Sequence, residues 1–177
     1  DEDVHSEEEL KLIISESAEG GAIEDSERDL IHNVFDFDNR LVKQIFIHNS
    51  RVAGIPIEST MDEAGKIVLE QGYSRYPIYA TSLDNIIGMT HSKDILKNLI
   101  EKKAKKLSEI KRDVLFVNEN KRVLDLLRSF QKHKTEFGVV VDEFGATIGV
   151  ITMEDILEEL VGDIQDEHDE ENAIVEK

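Results

Sequence analysis

The chain has 177 residues, is 40% apolar, and carries 21 Lys and Arg against 39 Asp and Glu for a net charge of −18. That apolar share builds a core and excludes a disordered chain, and the lack of Cys excludes disulfides, thiolate metal sites and a cysteine nucleophile. No stretch reaches the roughly 20 apolar residues of a membrane helix, no charged-then-apolar leader is present, and a start at Asp1 without Met reads as a piece cut from something longer.

The acid sits at the two ends. Residues 1–29 hold 12 acids against Lys11 and Arg28, and residues 154–177 hold 11 against Lys177, while the middle is close to neutral. Such flanks repel a phosphate backbone, so no nucleic-acid partner is expected. In the first flank, Ser6-Glu7-Glu8-Glu9 is a capping box ahead of Leu10, Ile13 and Ile14. Gly20-Gly21 ends that helix, and Ser26-Glu27-Arg28-Asp29 starts another with Leu30, Ile31, Val34 and Phe35 on one side.

Residues 51–57 then read as a short apolar strand. Thr60 to Glu63 forms a second capping box, and the helix it starts stops at Gly72. Two β-rich runs, 76–80 and 85–90, flank a polar turn. Ser92 is expected to cap a helix from 93 to about 101, and 102–106 is a basic, solvated linker. Beyond it come a strand at 114–117, a helix capped by Asn120 and running to about 133, and a nearly all-apolar strand at 137–141, as for one buried on both faces. A tight turn at 142–145 leads to a strand at 147–151, and Thr152 caps a last helix ending at Gly162.

The second half repeats the first at an offset of 61 without a gap. Glu58 meets Glu119, Ile87 meets Ile148, Gly88 meets Gly149, Asp94 meets Asp155, and Leu99 meets Leu160. Each unit reads β-α-β-β-α.

A tandem unit of this order ending in Gly-x-x-Thr-x-x-Asp resembles the cystathionine-β-synthase (CBS) domain pair, or Bateman module. The stretch from Gly72-Tyr73-Ser74-Arg75-Tyr76-Pro77, with His91-Ser92-Lys93-Asp94 after it, is similar to the CorC/HlyC (haemolysin C-like) group related to the CNNM proteins. So are Val140 to Gly145, the run from Thr152 through Glu154 and Asp155 to Ile164, and the trailing Asp166-Glu167-His168-Asp169. The resemblance implies an α+β fold of two pseudo-symmetric units packed sheet to sheet behind a helical lead-in. It divides the chain into a lead-in at 1–44, units at 45–103 and 104–164, and an acidic tail at 165–177. It further implies adenine-nucleotide binding (ATP or AMP, with Mg²⁺ carried by ATP), a homodimer, and a place on the cytoplasmic side of a membrane. There an upstream transmembrane domain, with a C-terminal domain in some relatives, would move Mg²⁺ or Co²⁺ under its control. One departure stands out: Ile45 to Arg51 lacks the Pro of the family's Met-hydrophobic-Pro-Arg segment.

The expected site follows from chemistry together with that resemblance. A carboxylate at Asp155 can accept from both ribose hydroxyls. Thr152 and the start of the last helix offer a hydroxyl and free N–H groups to phosphate, with Glu154 in the same turn. Arg75 can fork onto phosphate oxygens, Tyr76 and Tyr79 offer aromatic faces, and Ser74 and Pro77 complete the segment. Each residue has a plain structural role open to it: Thr152 as a cap, Asp155 as a dipole partner, Arg75 as a surface ion pair, and the tyrosines as core. The symmetry-related site holds His91 where the first holds Thr152, so Asp94 is expected to mark a weaker or empty site. A ligand-free dimerisation module is the second reading. An enzyme is not expected: the six His show no metal-ligand spacing, and there is no G-x-S-x-G elbow or Walker loop.

Overall fold

The structure, a computed structural model, describes residues 4–162. The acidic tail and Asp166 to Asp169 lie outside the described residues. Helix α1 (Glu7–Glu19) opens on the expected capping box: Ser6 Oγ accepts from Glu9 N–H, and the Glu9 carboxylate accepts from Ser6 N–H at 2.7 Å. Helix α2 (Asp25–Phe37) starts one residue before the expected Ser26, because the Glu27 carboxylate reaches back to the N–H of Glu24 at 2.8 Å.

The first unit follows two residues of β1 (Ile47–His48). It consists of β2 (Ile55–Pro56), α3 (Met61–Gln71), β3 (Arg75–Tyr79), β4 (Ile86–His91) and α4 (Ser92–Ile100). A short helix, α5 (Leu107–Ile110), precedes the second unit of β5 (Leu115–Asn118), α6 (Val123–His133), β6 (Phe137–Val141), β7 (Thr147–Thr152) and α7 (Met153–Val161). Within each unit the first strand pairs parallel with the second, and the second pairs antiparallel with the third.

Four details differ from the sequence reading. The strand expected at 51–57 is only β2, because Asn49–Arg51 turns as a 3₁₀ helix. Ser92 lies inside α4, and His91 holds the cap position without a side-chain bond to the backbone. Asn120 does not cap α6; Arg122 holds the cap position without a side-chain bond to the helix, and the first helical N–H, on Val123, donates to Arg40 O at 2.9 Å. The Arg122 guanidinium meanwhile reaches the Asp38 carboxylate at 2.6 Å, so lead-in backbone replaces a local cap. Helix α5 was not expected; its Leu107 is buried against the first unit's core.

The sheets are not confined to their own repeats. The second unit's sheet has the order β1-β7-β6-β5, so its fourth strand comes from ahead of the first unit. The first unit's sheet, β2-β3-β4, receives a reciprocal segment: Met89 N–H donates to Arg112 O at 3.0 Å, and Arg112 N–H donates to Met89 O at 2.8 Å. This exchange explains the glycine shared by the repeats. A Cβ on Gly149 would fall 2.1 Å from Ile47 O, and one on Gly88 would fall 2.8 Å from Arg112 O. Both glycines admit a crossing backbone.

Three apolar clusters hold the fold. One lies under α3 and α4 around Ile55, Tyr76 and Ile95. A second lies under α6 and α7 around Leu126, Phe130 and Ile156. The third, with Ile86, Met89, Phe137, Val139 and Val150, joins the two sheets face to face. The α1–α2 hairpin rests on α7, where Asn33 Nδ2 donates to Leu160 O at 3.1 Å and so caps the last carbonyls.

Candidate functional site

A cleft of about 290 Å³ opens between the units. Its apolar walls are Ile47, Val52, Pro77, Phe137 and Val150, and its polar groups are Arg51, Ser74, Arg75, Thr152 and Glu154. Local structure sets each of them. The Ser74 carbonyl accepts from Ser92 N–H at 3.0 Å, which ties the entry of β3 to the start of α4. Thr152 ends β7 and begins α7 in a closed capping box: its hydroxyl donates to Asp155 Oδ2 at 2.9 Å, and its N–H donates to the same oxygen at 2.7 Å.

Arg75 is the hinge of the electrostatics. One guanidinium nitrogen lies 3.1 Å from Glu154, and the other pairs with Glu136. Burial raises the Glu154 carboxyl, but its own backbone N–H, the Arg75 guanidinium and Thr152 outweigh burial and hold it below the usual carboxylate range.

Of the expected site residues, Ser74, Arg75, Pro77, Thr152 and Glu154 line this one cleft. Tyr76 does not. It is completely buried, its hydroxyl accepts from Tyr73 N–H at 2.8 Å and donates to Val68 O at 3.4 Å, so its core role is the one realised. Tyr79 packs into the cluster between the sheets. Asp155 is not a wall of the cleft; Oδ2 serves the cap, and Oδ1 has no hydrogen bond among the described residues. The sequence reading missed Tyr73, which is half exposed at the cleft. It also missed Arg51 and the apolar walls Ile47, Val52, Phe137 and Val150.

A wider hollow of about 570 Å³ occupies the symmetry-related place. Its Arg112, Thr135, Glu136 and His91 stand 61 residues from Arg51, Ser74, Arg75 and Thr152 respectively. Asp94 does not line it; its carboxylate is held by Arg112 at 2.7 Å. Burial, then Arg112 and Arg75, push the His91 imidazole below its ordinary value, against Asp94. This hollow is richer in cations than the first cleft and poorer in apolar wall.

The CBS domain sequence model matches residues 42–101 and again 107–162. The CBS domain of a bacterial CNNM/CorC family Mg²⁺ transporter superposes with a TM-score of 0.84 at 35% identity, covering 92% of this chain and 100% of that one. This chain is a CBS-domain pair of the CNNM/CorC family. Among curated relatives, the UPF0053 protein YugS of Bacillus subtilis is 41% identical over 96% of this chain and 40% of its own length. The magnesium and cobalt efflux protein CorC of Escherichia coli is 34% identical over 94% of this chain and 57% of its own. The CBS pair thus spans about half the length of these relatives. Two further similar structures are nucleotide complexes. A CNNM/CorC CBS domain in complex with ATP has a TM-score of 0.73, 33% identity, and coverage of 78% and 99%. A CBS-domain pair with bound AMP from Klebsiella pneumoniae has a TM-score of 0.62, 30% identity, and coverage of 69% and 98%. Among the described residues, no helix of the pair is long and apolar enough to cross a membrane, and no three His, Asp or Glu cluster as a metal site.

Proposed function

We propose that the cleft walled by Pro77, Phe137 and Val150 binds an adenine nucleotide, ATP or AMP. Through it, the CBS pair regulates a divalent-cation transport domain of the same longer protein. The observation that carries this reading is the convergence of Arg75 and the first turn of α7, 79 residues apart at Glu154, on one apolar-walled cleft. The base lies between the apolar walls with Tyr73 at its edge, and the ribose turns toward Asp155 Oδ1. The phosphates meet Arg75, the Thr152 hydroxyl and the α7 N-terminus. The family likeness, with its ATP and AMP complexes, supports the ligand class.

Regulation follows from competition for one cation. Phosphate draws Arg75 away from Glu136 and Glu154, so occupancy loosens an ion pair that spans the two units. The ligand then favours whichever arrangement of the pair, as a homodimer on the cytoplasmic face, binds it better. Mg²⁺ enters with ATP, since hard cations take phosphate and carboxylate oxygens.

Calorimetric titration of the chain with AMP, ADP and ATP, each with and without Mg²⁺, tests the reading. Saturable binding of at least one is expected. Failure of all three favours the second reading, a ligand-free dimerisation module, in which the Asp155 cap and the Arg75 ion pairs are the end use of those side chains.

A further inference from the structure

The basic linker at 102–106 forms one wall of a separate pocket of about 290 Å³ on the first unit, beside α4. Four cations, Lys97, Lys103, Lys105 and Arg112, face two carboxylates, Asp94 and Glu101. Lys103 pairs with Glu101 and Arg112 with Asp94, whereas Lys97 and Lys105 have no salt bridge among the described residues. The field they make is felt by Glu101: its bond to Lys103 first, then Lys97 and Lys105, hold its carboxyl below the usual range despite the opposing effect of burial.

Asn98 also lines this pocket. It is 4% exposed, and both its amide nitrogen and its amide oxygen lack any hydrogen-bond partner. Leaving a buried amide in that condition is costly, which makes an internal structural role a poor account of it. The repeat sharpens the point. The equivalent position in the second unit is Glu159, where the lead-in lays Arg40 at 3.7 Å as a partner. The first unit has the linker in that place, and the linker supplies no group to the amide.

We infer that this pocket binds a phosphate anion, with Lys97, Lys105 and Arg112 holding the charge and the Asn98 amide completing the hydrogen bonds. The amide needs an acceptor for its N–H and a donor for its C=O. Hydrogen phosphate presents both, through its oxygens and its P–O–H, while sulfate at neutral pH only accepts. The site is distinct from the nucleotide cleft and does not depend on it.

The test compares thermal unfolding of the chain in inorganic phosphate and in sulfate at equal ionic strength, with glycerol 3-phosphate as a parallel arm that separates a free anion from a phosphate ester. Phosphate or its ester is expected to raise the melting temperature saturably, with sulfate at least tenfold weaker. The exposed double variant Lys97→Gln/Lys105→Gln is expected to lose at least tenfold in phosphate affinity and to keep the wild-type response to AMP. Asn98→Leu is expected to abolish the preference for phosphate over sulfate; if it fails to fold, the lysine variant decides alone. The site is overturned if phosphate and sulfate act alike. It is equally overturned if the lysine variant responds as wild type, or if Arg75→Ala rather than the lysine variant removes the effect.

Discussion

Arg75 and Glu136 occupy equivalent positions of the two repeats, 61 residues apart, and are ion-paired with each other across the boundary between the units. Under the proposed function, a nucleotide phosphate seeking Arg75 has to compete with Glu136 and with Glu154. Arg75→Ala is therefore expected to weaken AMP at least tenfold, about 1.4 kcal/mol. Glu136→Gln, which removes one competitor, is expected to tighten AMP by roughly two- to fivefold with a stability change of about 0–1 kcal/mol, since Glu136 is exposed. Calorimetry on the two variants checks the opposite signs; equal losses in both would show that Arg75 does not reach the ligand.

The two tyrosines of the Gly72–Pro77 segment stand in different places, Tyr76 in the core and Tyr73 at the cleft. Tyr76→Phe leaves the Tyr73 N–H without its acceptor and is expected to cost about 1–3 kcal/mol in urea unfolding. Its effect on AMP affinity is expected to be small. Tyr73→Ala is expected to do the reverse, lowering AMP affinity several-fold while leaving the unfolding midpoint nearly unmoved. A stability loss in Tyr73→Ala with unchanged affinity contradicts its place at the cleft.

Asp155 and Asp94 match in the repeat but not in use. Asp155→Ala removes the carboxylate half of the capping box with Thr152 and is expected to cost about 0.5–2 kcal/mol of stability along with most nucleotide affinity. Asp94→Ala breaks a half-exposed pair with Arg112, with an expected cost of about 0–1 kcal/mol and no change in affinity. Loss of affinity in Asp94→Ala alone would place the ligand in the other hollow.

Acid should act through His91. Its imidazole is held below the ordinary value of 6.5 chiefly by burial, then by Arg112 and Arg75, with Lys93 adding to them and Asp94 opposing. A base depressed in the folded state is protonated first in the unfolded one, so stability rises with pH through this window and falls as pH drops below 6.5. His91→Gln is expected to flatten the melting-temperature profile between about pH 5 and 7. A slope that survives the substitution assigns the effect elsewhere.

Gly149→Ala places a methyl against Ile47 O, so β1 must leave β7. The expected cost is more than about 2 kcal/mol, in the range of strained or overpacked sites, and AMP affinity falls with it because Ile47 walls the cleft. Chemical unfolding and titration of the same variant read both effects.

What the sequence disclosed was whatever its neighbours in the chain decide. The boxes Ser6–Glu9 and Thr60–Glu63 and the Thr152 cap each close over three residues, so donor and acceptor stand close in the sequence; that Asp155 returns the bond to Thr152 was not read. The left-handed Gly72 that ends α3 was equally local. The cap of α6 was not, because Val123 is served by Arg40, 83 positions away in the chain. The pair Gly88 and Gly149 was visible as a repeat identity, but its reason is a strand arriving from another unit. Two of the cleft's segments, 74–77 and the start of α7, were readable, whereas the walls from β1 and residues 51–53 were not. Which tyrosine stands at the cleft was not readable either: β3 is buried along its middle, so alternation could not show that Tyr76 points into the core, and Tyr73 lies just before the strand, where no periodicity applies.

The reciprocal strand exchange at Gly149 and Gly88 makes the module a clasp rather than two beads on a string. Neither half can be excised, swapped with a relative's or expressed by itself without tearing open the other's border. A protease nick in the loop between α4 and α5 would therefore leave the two fragments holding one another by main-chain bonds as well as by the apolar cluster between the sheets. Each repeat's sheet is bordered by a segment that leads into the other.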